Sequence, residues 1–276
     1  MPDPKQIPHL IKLLDDESEM VLEAVLKELA AFGPTLREEL AKLPEPLSNE
    51  QQEKIQTLLA DHNRHWLKEN WKKQLSTLSD NERLEKALSL LAEFQNGPGY
   101  PVQLKTLLNT LAEEYRQAHQ TQDAVSLANF LFKAQQLQGN TTDYYNPANS
   151  NLVYVIEHKR GIPISLACIY ILTGVRLGLE IEGCNFPGHF LAKITVEGKT
   201  KWVDCFNGGR LLDEAAILEM TNEPPQSIRD ILEMNVNAET IIARMLTNLI
   251  RAYELLDQQT NRQLMIDLLE ILEASL

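Results

Sequence analysis

Apolar residues recur at three- and four-residue spacing through most of the first half of the chain, as in amphipathic helices. Gly33-Pro34, Pro44 to Pro46 and Asn96-Gly97-Pro98-Gly99 interrupt that pattern and indicate helix ends. Ser48 is predicted to cap the longest helix, which is mostly polar. The predicted helices of this half cover 7–14, 18–32, 49–75, a segment from Ser79 or Asp80 to 96, 102–119 and 123–137.

The pattern changes after Gly139-Asn140. We expect a helix over 149–160, a second over 163–178, a strand over 180–186 and then a hairpin, before helices return at 238–256 and 261–274. This order predicts an α+β fold in which a mostly helical chain surrounds a small core with a short antiparallel sheet. The predicted regions are 1–138, helical; 139–212, the core; and 213–276, helical.

The stretch NFPGHFLAKITVEGKTKWVDCFNGG, from Asn185 to Gly209, is the predicted hairpin. Glu197-Gly198 suits a two-residue turn, and counting back from it places His189 opposite Phe206. His189 and Asp204 then lie diagonally on one face, with backbones about 7–8 Å apart. Such a pair is the base and its orienting carboxylate in a catalytic triad, although an unrelated surface histidine and strand-end aspartate remain an alternative.

Charge and composition narrow the function classes. Lys plus Arg is 26 and Asp plus Glu is 39, so the net charge of −13 argues against nucleic-acid binding. No apolar run approaches the roughly 20 residues of a membrane span, and the first residues do not resemble a signal peptide. Three cysteines without CxxC spacing indicate reduced thiols and a cytoplasmic protein.

A nucleophile for the His189–Asp204 pair is harder to find. Ser165 lies in the first turn of the helix begun by Pro163, where free N–H groups favour an anion, but a serine there is also an ordinary cap. Cys168 sits within the apolar run LACIYIL, which indicates an inert buried thiol. Cys184 is expected in a buried strand, and Cys205 on the sheet face opposite Asp204.

His62, His65 and Glu69 share one helix face and are the candidate ligands for a metal. A third strong ligand is missing from the local pattern, so a solvated helix face is the favoured interpretation. The sequence therefore predicts neither a metal nor another cofactor.

Four motifs carry a family resemblance: YYNPANS, RGIPISL, NFPGHFL and DCFNGG. They closely resemble the bacterial SirB-type proteins of the transglutaminase-like superfamily, which often carry tetratricopeptide-like helices. That superfamily places a cysteine at a helix start, a histidine opening one strand and an aspartate closing the next. His189 and Asp204 match the last two positions, whereas residues 163–165 supply no cysteine.

Asn149-Ser150 is the expected cap of the helix over 149–160. The resemblance also implies a groove beside His189, lined by Tyr144, Tyr145, Asn149 and Asn185. One hypothesis is a non-catalytic, regulatory module of a bacterial cell that binds a protein or peptide in this groove. The alternative is a hydrolase or acyl-transferase that uses a Ser165–His189–Asp204 triad.

Overall fold

The computed structural model of the chain describes residues 2–44, 47, 49–75 and 78–274. The chain divides into two compact units, one formed by the described residues of 1–76 and 89–103, the other by those of 77–88 and 104–276. The mostly helical α+β fold is confirmed, whereas the three-region division stays a prediction. No helix of the described chain is long and apolar enough to cross a membrane.

The first unit is helical. Its apolar core combines Ile7, Val25, Leu29, Phe32 and Ile55, so the predicted amphipathic faces meet as expected. The short helix after Gly33-Pro34 was not predicted, because such a pair more often ends helical structure than separates two helices. Ser48, the predicted cap of the fourth helix, lies outside the described residues. The first four α-helices are α1 (Ile7–Lys12), α2 (Glu19–Ala30), α3 (Leu36–Ala41) and α4 (Asn49–Leu75).

The second unit contains the sheets and the helices from residue 104 onward, and the helix over 80–96 contributes residues to both units. In the first unit, short 3-10 turns occur at Pro4–Gln6, Leu13–Asp15 and Gly33–Thr35; in the second, one occurs at Pro147–Ser150 and a π-helical segment covers Phe130–Ala134. The remaining α-helices are α5 (Asp80–Asn96), α6 (Leu104–Ala118), α7 (Ala124–Asn129), α8 (Leu152–His158), α9 (Pro163–Leu177), α10 (Glu214–Leu218), α11 (Pro225–Glu233), α12 (Ala238–Leu255) and α13 (Gln259–Glu273). The strands are β1 (Gln138–Gly139), β2 (Arg160–Gly161), β3 (Glu182–Cys184), β4 (Leu191–Val196), β5 (Lys199–Asp204) and β6 (Arg210–Leu212).

Helix α9 is the centre of this unit. All residues from Pro163 to Gly174 are buried, as expected for a helix that is apolar on every side. It packs against α6, α8 and α12 and against strands β3 and β4. The sheet is therefore built directly on the helix whose first turn the sequence singled out.

Strands β3 to β6 form one antiparallel sheet in sequence order. Val196 faces Lys199 and Ala192 faces Val203, so the predicted hairpin register is confirmed. Strand β6 and the short parallel pair of β1 with β2 were not predicted. These strands have two or three residues each, too few to show a periodic pattern.

Three predicted boundaries were wrong for local reasons. The strand over 180–186 is only Glu182–Cys184, because Phe186 already belongs to the turn before His189. The helix over 149–160 begins at Leu152, because Asn151, not Asn149 or Ser150, is its cap and accepts a hydrogen bond from the Tyr154 N–H. The helix over 123–137 changes to π-helical geometry at Phe130.

The hairpin turn supplies a test of the register. Glu197 and Gly198 both have positive φ, +50° and +73°, which is the requirement of a type I′ turn. Asparagine tolerates that conformation better than glutamate, so Glu197→Asn should raise the free energy of unfolding by up to about 1 kcal/mol. Urea denaturation measures the change. Gly198→Ala is the opposing control and should destabilise; a stabilising alanine would contradict this turn geometry.

Candidate functional site

His189 is placed by a tight turn at the entrance to β4. Pro187 and Gly188, with φ of +70° at the glycine, occupy the two central positions, which suits a type II turn. The turn closes with a 3.1 Å hydrogen bond from the His189 N–H to the Phe186 carbonyl. The imidazole is consequently held close to the sheet, with its side chain 16% exposed.

Asp204 is the last residue of β5 and is fully buried. Its Oδ1 accepts from His189 Nε2 at 2.8 Å and from the Asn207 N–H at 3.1 Å, while Oδ2 accepts from Asn207 Nδ2 at 2.8 Å. The predicted contact between His189 and Asp204 is therefore confirmed. Burial alone raises the pKa of Asp204, but hydrogen bonds from His189 and Asn207 outweigh it, so the pKa lies below its usual value.

Because Nε2 of His189 is hydrogen-bonded to Asp204, the second ring nitrogen, Nδ1, is the atom that remains for a ligand. An ionised carboxylate can only accept, so Nε2 carries the proton that bonds to Asp204. Among the described residues none hydrogen-bonds to Nδ1, which in the neutral ring is an acceptor. The site therefore offers an oriented acceptor to an incoming N–H or O–H group.

Ser165 is engaged elsewhere. Its side chain is fully buried, its Oγ donates to the Ile162 carbonyl at 3.0 Å, and it accepts from the Ile162 N–H at 3.0 Å. This is the cap interaction that the sequence left open as an alternative. Such a hydroxyl would have to give up both bonds and its buried position before it could attack a substrate.

All three cysteines are free and buried. Burial raises the pKa of the Cys184 thiol to about 11 and raises those of Cys168 and Cys205 as well. A thiol is nucleophilic as the thiolate, so each of these side chains is held in its unreactive form. The predicted burial of Cys168 and Cys184 is confirmed.

Aromatic rings extend from His189 toward the surface. The Phe206 ring meets His189 edge-on at 6.1 Å between centroids, and Tyr144 meets Phe206 at 6.0 Å. Tyr145 packs on Tyr144 at 5.2 Å and is 53% exposed. We call these four residues, Tyr144, Tyr145, His189 and Phe206, the aromatic groove, after the groove that the sequence predicts here.

Of the other two predicted groove residues, Asn149 contacts the loop that carries the tyrosines, and Asn185 contacts helix α12. Asn149 is buried, and its amide donates to the carbonyls of Asp143 and Tyr144, so it supports the loop that carries the tyrosines. Asn185 accepts a 3.3 Å hydrogen bond from Arg244 Nη1 on α12. Sequence reasoning missed Phe206, Asn207 and Arg244; the motif DCFNGG and the hairpin register pointed to the first two, and nothing local marked the third.

The candidate metal ligands do not form a cluster. His65 Nε2 lies 3.2 Å from Glu69 Oε1, and His62 is partly buried, with its pKa lowered mainly by that burial. Within the described ranges, no group of three or more His, Cys, Asp or Glu side chains is placed to hold a metal ion.

Comparison with known proteins adds a family assignment. A family model described as the transglutaminase-like superfamily matches residues 100–247, more than half of the chain. A UPF0162 protein of Xylella fastidiosa is 39% identical over 131 residues, 45% of this chain and 46% of the relative. F-box only protein 21 of Mus musculus is 31% identical over 139 residues, 48% of this chain and 21% of the relative. The chain thus matches less than half the length of either relative, and no solved structure matches it.

Asp204 makes the stability of the second unit depend on pH. Its pKa is depressed in the folded state, so its contribution is present above the unfolded pKa of about 3.9 and is lost as pH falls through the lower folded pKa. Asp204→Asn should remove this acid-side decline and lower stability at pH 7 by roughly 1–3 kcal/mol. Chemical denaturation from pH 7 to pH 3 measures both effects. An unchanged acid profile in the variant would contradict the role of this carboxylate.

The thiols provide a second test. In the native protein at pH 7.5 we expect no rapid reaction of any cysteine with Ellman's reagent, because burial blocks access and disfavours the thiolate. In denaturant all three should react. Fast native labelling of one thiol, located by mass spectrometry, would reveal a reactive cysteine that this structure excludes.

Proposed function

This chain belongs to the transglutaminase-like superfamily, and we propose that it is a non-catalytic member that binds a peptide segment of a partner protein in the aromatic groove. The observation that carries the proposal is the presence of the His189–Asp204 pair without a competent nucleophile beside it among the residues that the structure describes. The helix-start residues 163–165 contain no cysteine, and Ser165 is buried in a cap.

The groove has the chemistry of a peptide site. Tyrosine and phenylalanine rings supply large contact area with little loss of side-chain freedom, and they are enriched at protein interfaces. His189 Nδ1 adds an oriented acceptor for a backbone N–H of the ligand. Because the Asp204 carboxylate fixes the ring, that acceptor is positioned before the ligand arrives.

Finer features of the resemblance belong to the same proposal. The chain is grouped with the SirB-type bacterial proteins, it acts in the cytoplasm, and its role is regulatory. Its helical flanks are tetratricopeptide-like and supply additional binding surface. The packing of α12 along α13 supports this description, since paired helices joined by a short connection are the unit of such repeats.

The test of the proposal is a selection of displayed random peptides on the immobilised chain. Enriched peptides should bind the wild type and lose at least about tenfold in affinity to His189→Gln, a loss of about 1.4 kcal/mol. The glutamine side chain in this variant keeps a donor toward Asp204, and its carbonyl oxygen does not occupy the ring position of Nδ1. Tyr145→Ala, at an exposed ring, is the second variant, and Leu255→Ala, at an exposed residue of α12, is the control.

Equal binding by the wild type and both groove variants, or no enrichment at all, would overturn the proposal. Serine- and thiol-directed activity probes test the alternative hydrolase or acyl-transferase. Labelling of Ser165 that disappears in His189→Gln would make this chain an enzyme with a Ser165–His189–Asp204 triad.

A further inference from the structure

A cavity of about 430 Å³ opens beside the end of β3. Its wall is formed by successive turns of α12, from Glu239 to Thr247, and part of its rim is formed by the last turn of α13. Its polar lining residues are Asn185, Asn237, Glu239, Thr240, Arg244 and Thr247. The volume is enough for a side chain or a small ligand.

Arg244 is an unusual cation for this chain. Among the arginine side chains that the structure describes, it is the one that is partly buried and has no carboxylate within 4 Å. Arg160 and Arg210, which also lack such a partner, are exposed to solvent. A partly desolvated charge without a counterion is costly, and the net charge of −13 offers many carboxylates that folding has not placed here.

The donors around the guanidinium are available. Arg244 Nη1 donates to Asn185 Oδ1. This contact orients the guanidinium group and uses one of its five N–H groups. The Asn185 amide nitrogen donates to none of the described residues, so it adds two further hydrogens. The hydroxyls of Thr240 and Thr247 are committed to Asn237 and to the Ala243 carbonyl.

The two acidic residues of the lining do not neutralise this cation. Glu239 forms an ion pair with Arg83 and accepts from Asn237 Nδ2 at 2.9 Å, so its charge is balanced elsewhere. Glu273 is exposed, on the last turn of α13. The remaining recognition chemistry is a set of donors with one positive charge, which matches a carboxylate.

We propose that this cavity binds the carboxylate of a peptide ligand, with Arg244 as the ion-pairing group and Asn185 as its holder and second donor. The carboxylate comes either from an acidic side chain or from a peptide C-terminus. Its role in peptide binding rests on the proposed function, whereas carboxylate binding itself does not depend on His189.

Two features of the chain connect the residues of the cavity to those of the aromatic groove. Asn185 immediately precedes Phe186, whose carbonyl holds the His189 turn closed. Helix α12, which carries Arg244, packs against the 3-10 turn Pro147–Ser150 that follows the two tyrosines in sequence. A peptide lying on Tyr144 and Phe206 can therefore direct an acidic group to Arg244.

Titration of the full chain with small probes, followed by NMR of the arginine Nε–Hε groups, tests this inference. The probes are N-acetylglutamate N′-methylamide for a side-chain carboxylate, N-acetylglycine for a C-terminal one, and N-acetylglutamine N′-methylamide as the neutral match. At least one carboxylate probe should give saturable shifts at Arg244, and the neutral probe should bind at least about tenfold more weakly. The carboxylate probe that binds more tightly shows whether the cavity prefers an acidic side chain or a peptide C-terminus.

Arg244→Gln should weaken the carboxylate probe at least about tenfold. The matched control is Arg251→Gln, which removes the same charge from an exposed site on the same helix, where Arg251 pairs with Glu254. His189→Gln should leave the small probes unaffected. Equal binding by Arg244→Gln, equal binding of the neutral probe, or no saturable shift up to the solubility limit would each overturn the inference.

Binding of inorganic phosphate in place of both carboxylates would also overturn it. The two proposals fail separately. If carboxylate probes bind at Arg244 but no selected peptide depends on His189, the proposed peptide site in the aromatic groove is refuted. If selected peptides depend on His189 but bind Arg244→Gln as tightly as the wild type, the proposed role of the cavity in peptide binding is refuted.

Discussion

The buried charge of Asp204 constrains the site more than any other single interaction. A carboxylate without solvent must be surrounded by donors, and this one receives three hydrogen bonds, from His189 and from the backbone and side chain of Asn207. The donors come from the loop that enters β4 and the loop that leaves β5. Satisfying one charge therefore fixes both loops, and it fixes the imidazole as a consequence.

This requirement is a reason to keep the His189–Asp204 pair that does not depend on catalysis. In a triad, the aspartate serves the histidine by orienting it for a nucleophile. Here the aspartate also depends on the histidine, because a buried carboxylate needs hydrogen-bond donors and His189 is one of them. Helix α9 contributes the complementary constraint, since the burial of its residues from Pro163 to Gly174 keeps Ser165 and Cys168 away from solvent.

The parts of the fold that the sequence predicted correctly depend on local chemistry. A two-residue turn sets the hairpin register, so His189 and Asp204 could be paired by counting alone. Prediction failed where a side chain is used by a contact that its local sequence does not reveal. Asn149 was expected to cap a helix, yet its amide is used by the Asp143–Tyr144 loop, and Asn151 caps the helix instead. Arg244, about 40 residues after Asp204, reaches the site through helix packing that has no local signature.

The type I′ turn at Glu197 and Gly198 also limits how this hairpin can change in length. Side chains alternate between the two faces along each strand, so a single inserted residue would carry the histidine loop to the opposite face from the carboxylate. Residues added in pairs, one to each strand, would lengthen the hairpin and preserve the contact. Insertions here are thus acceptable only as matched pairs, one residue in each strand, and a one-residue insertion breaks the hydrogen bond without altering either partner.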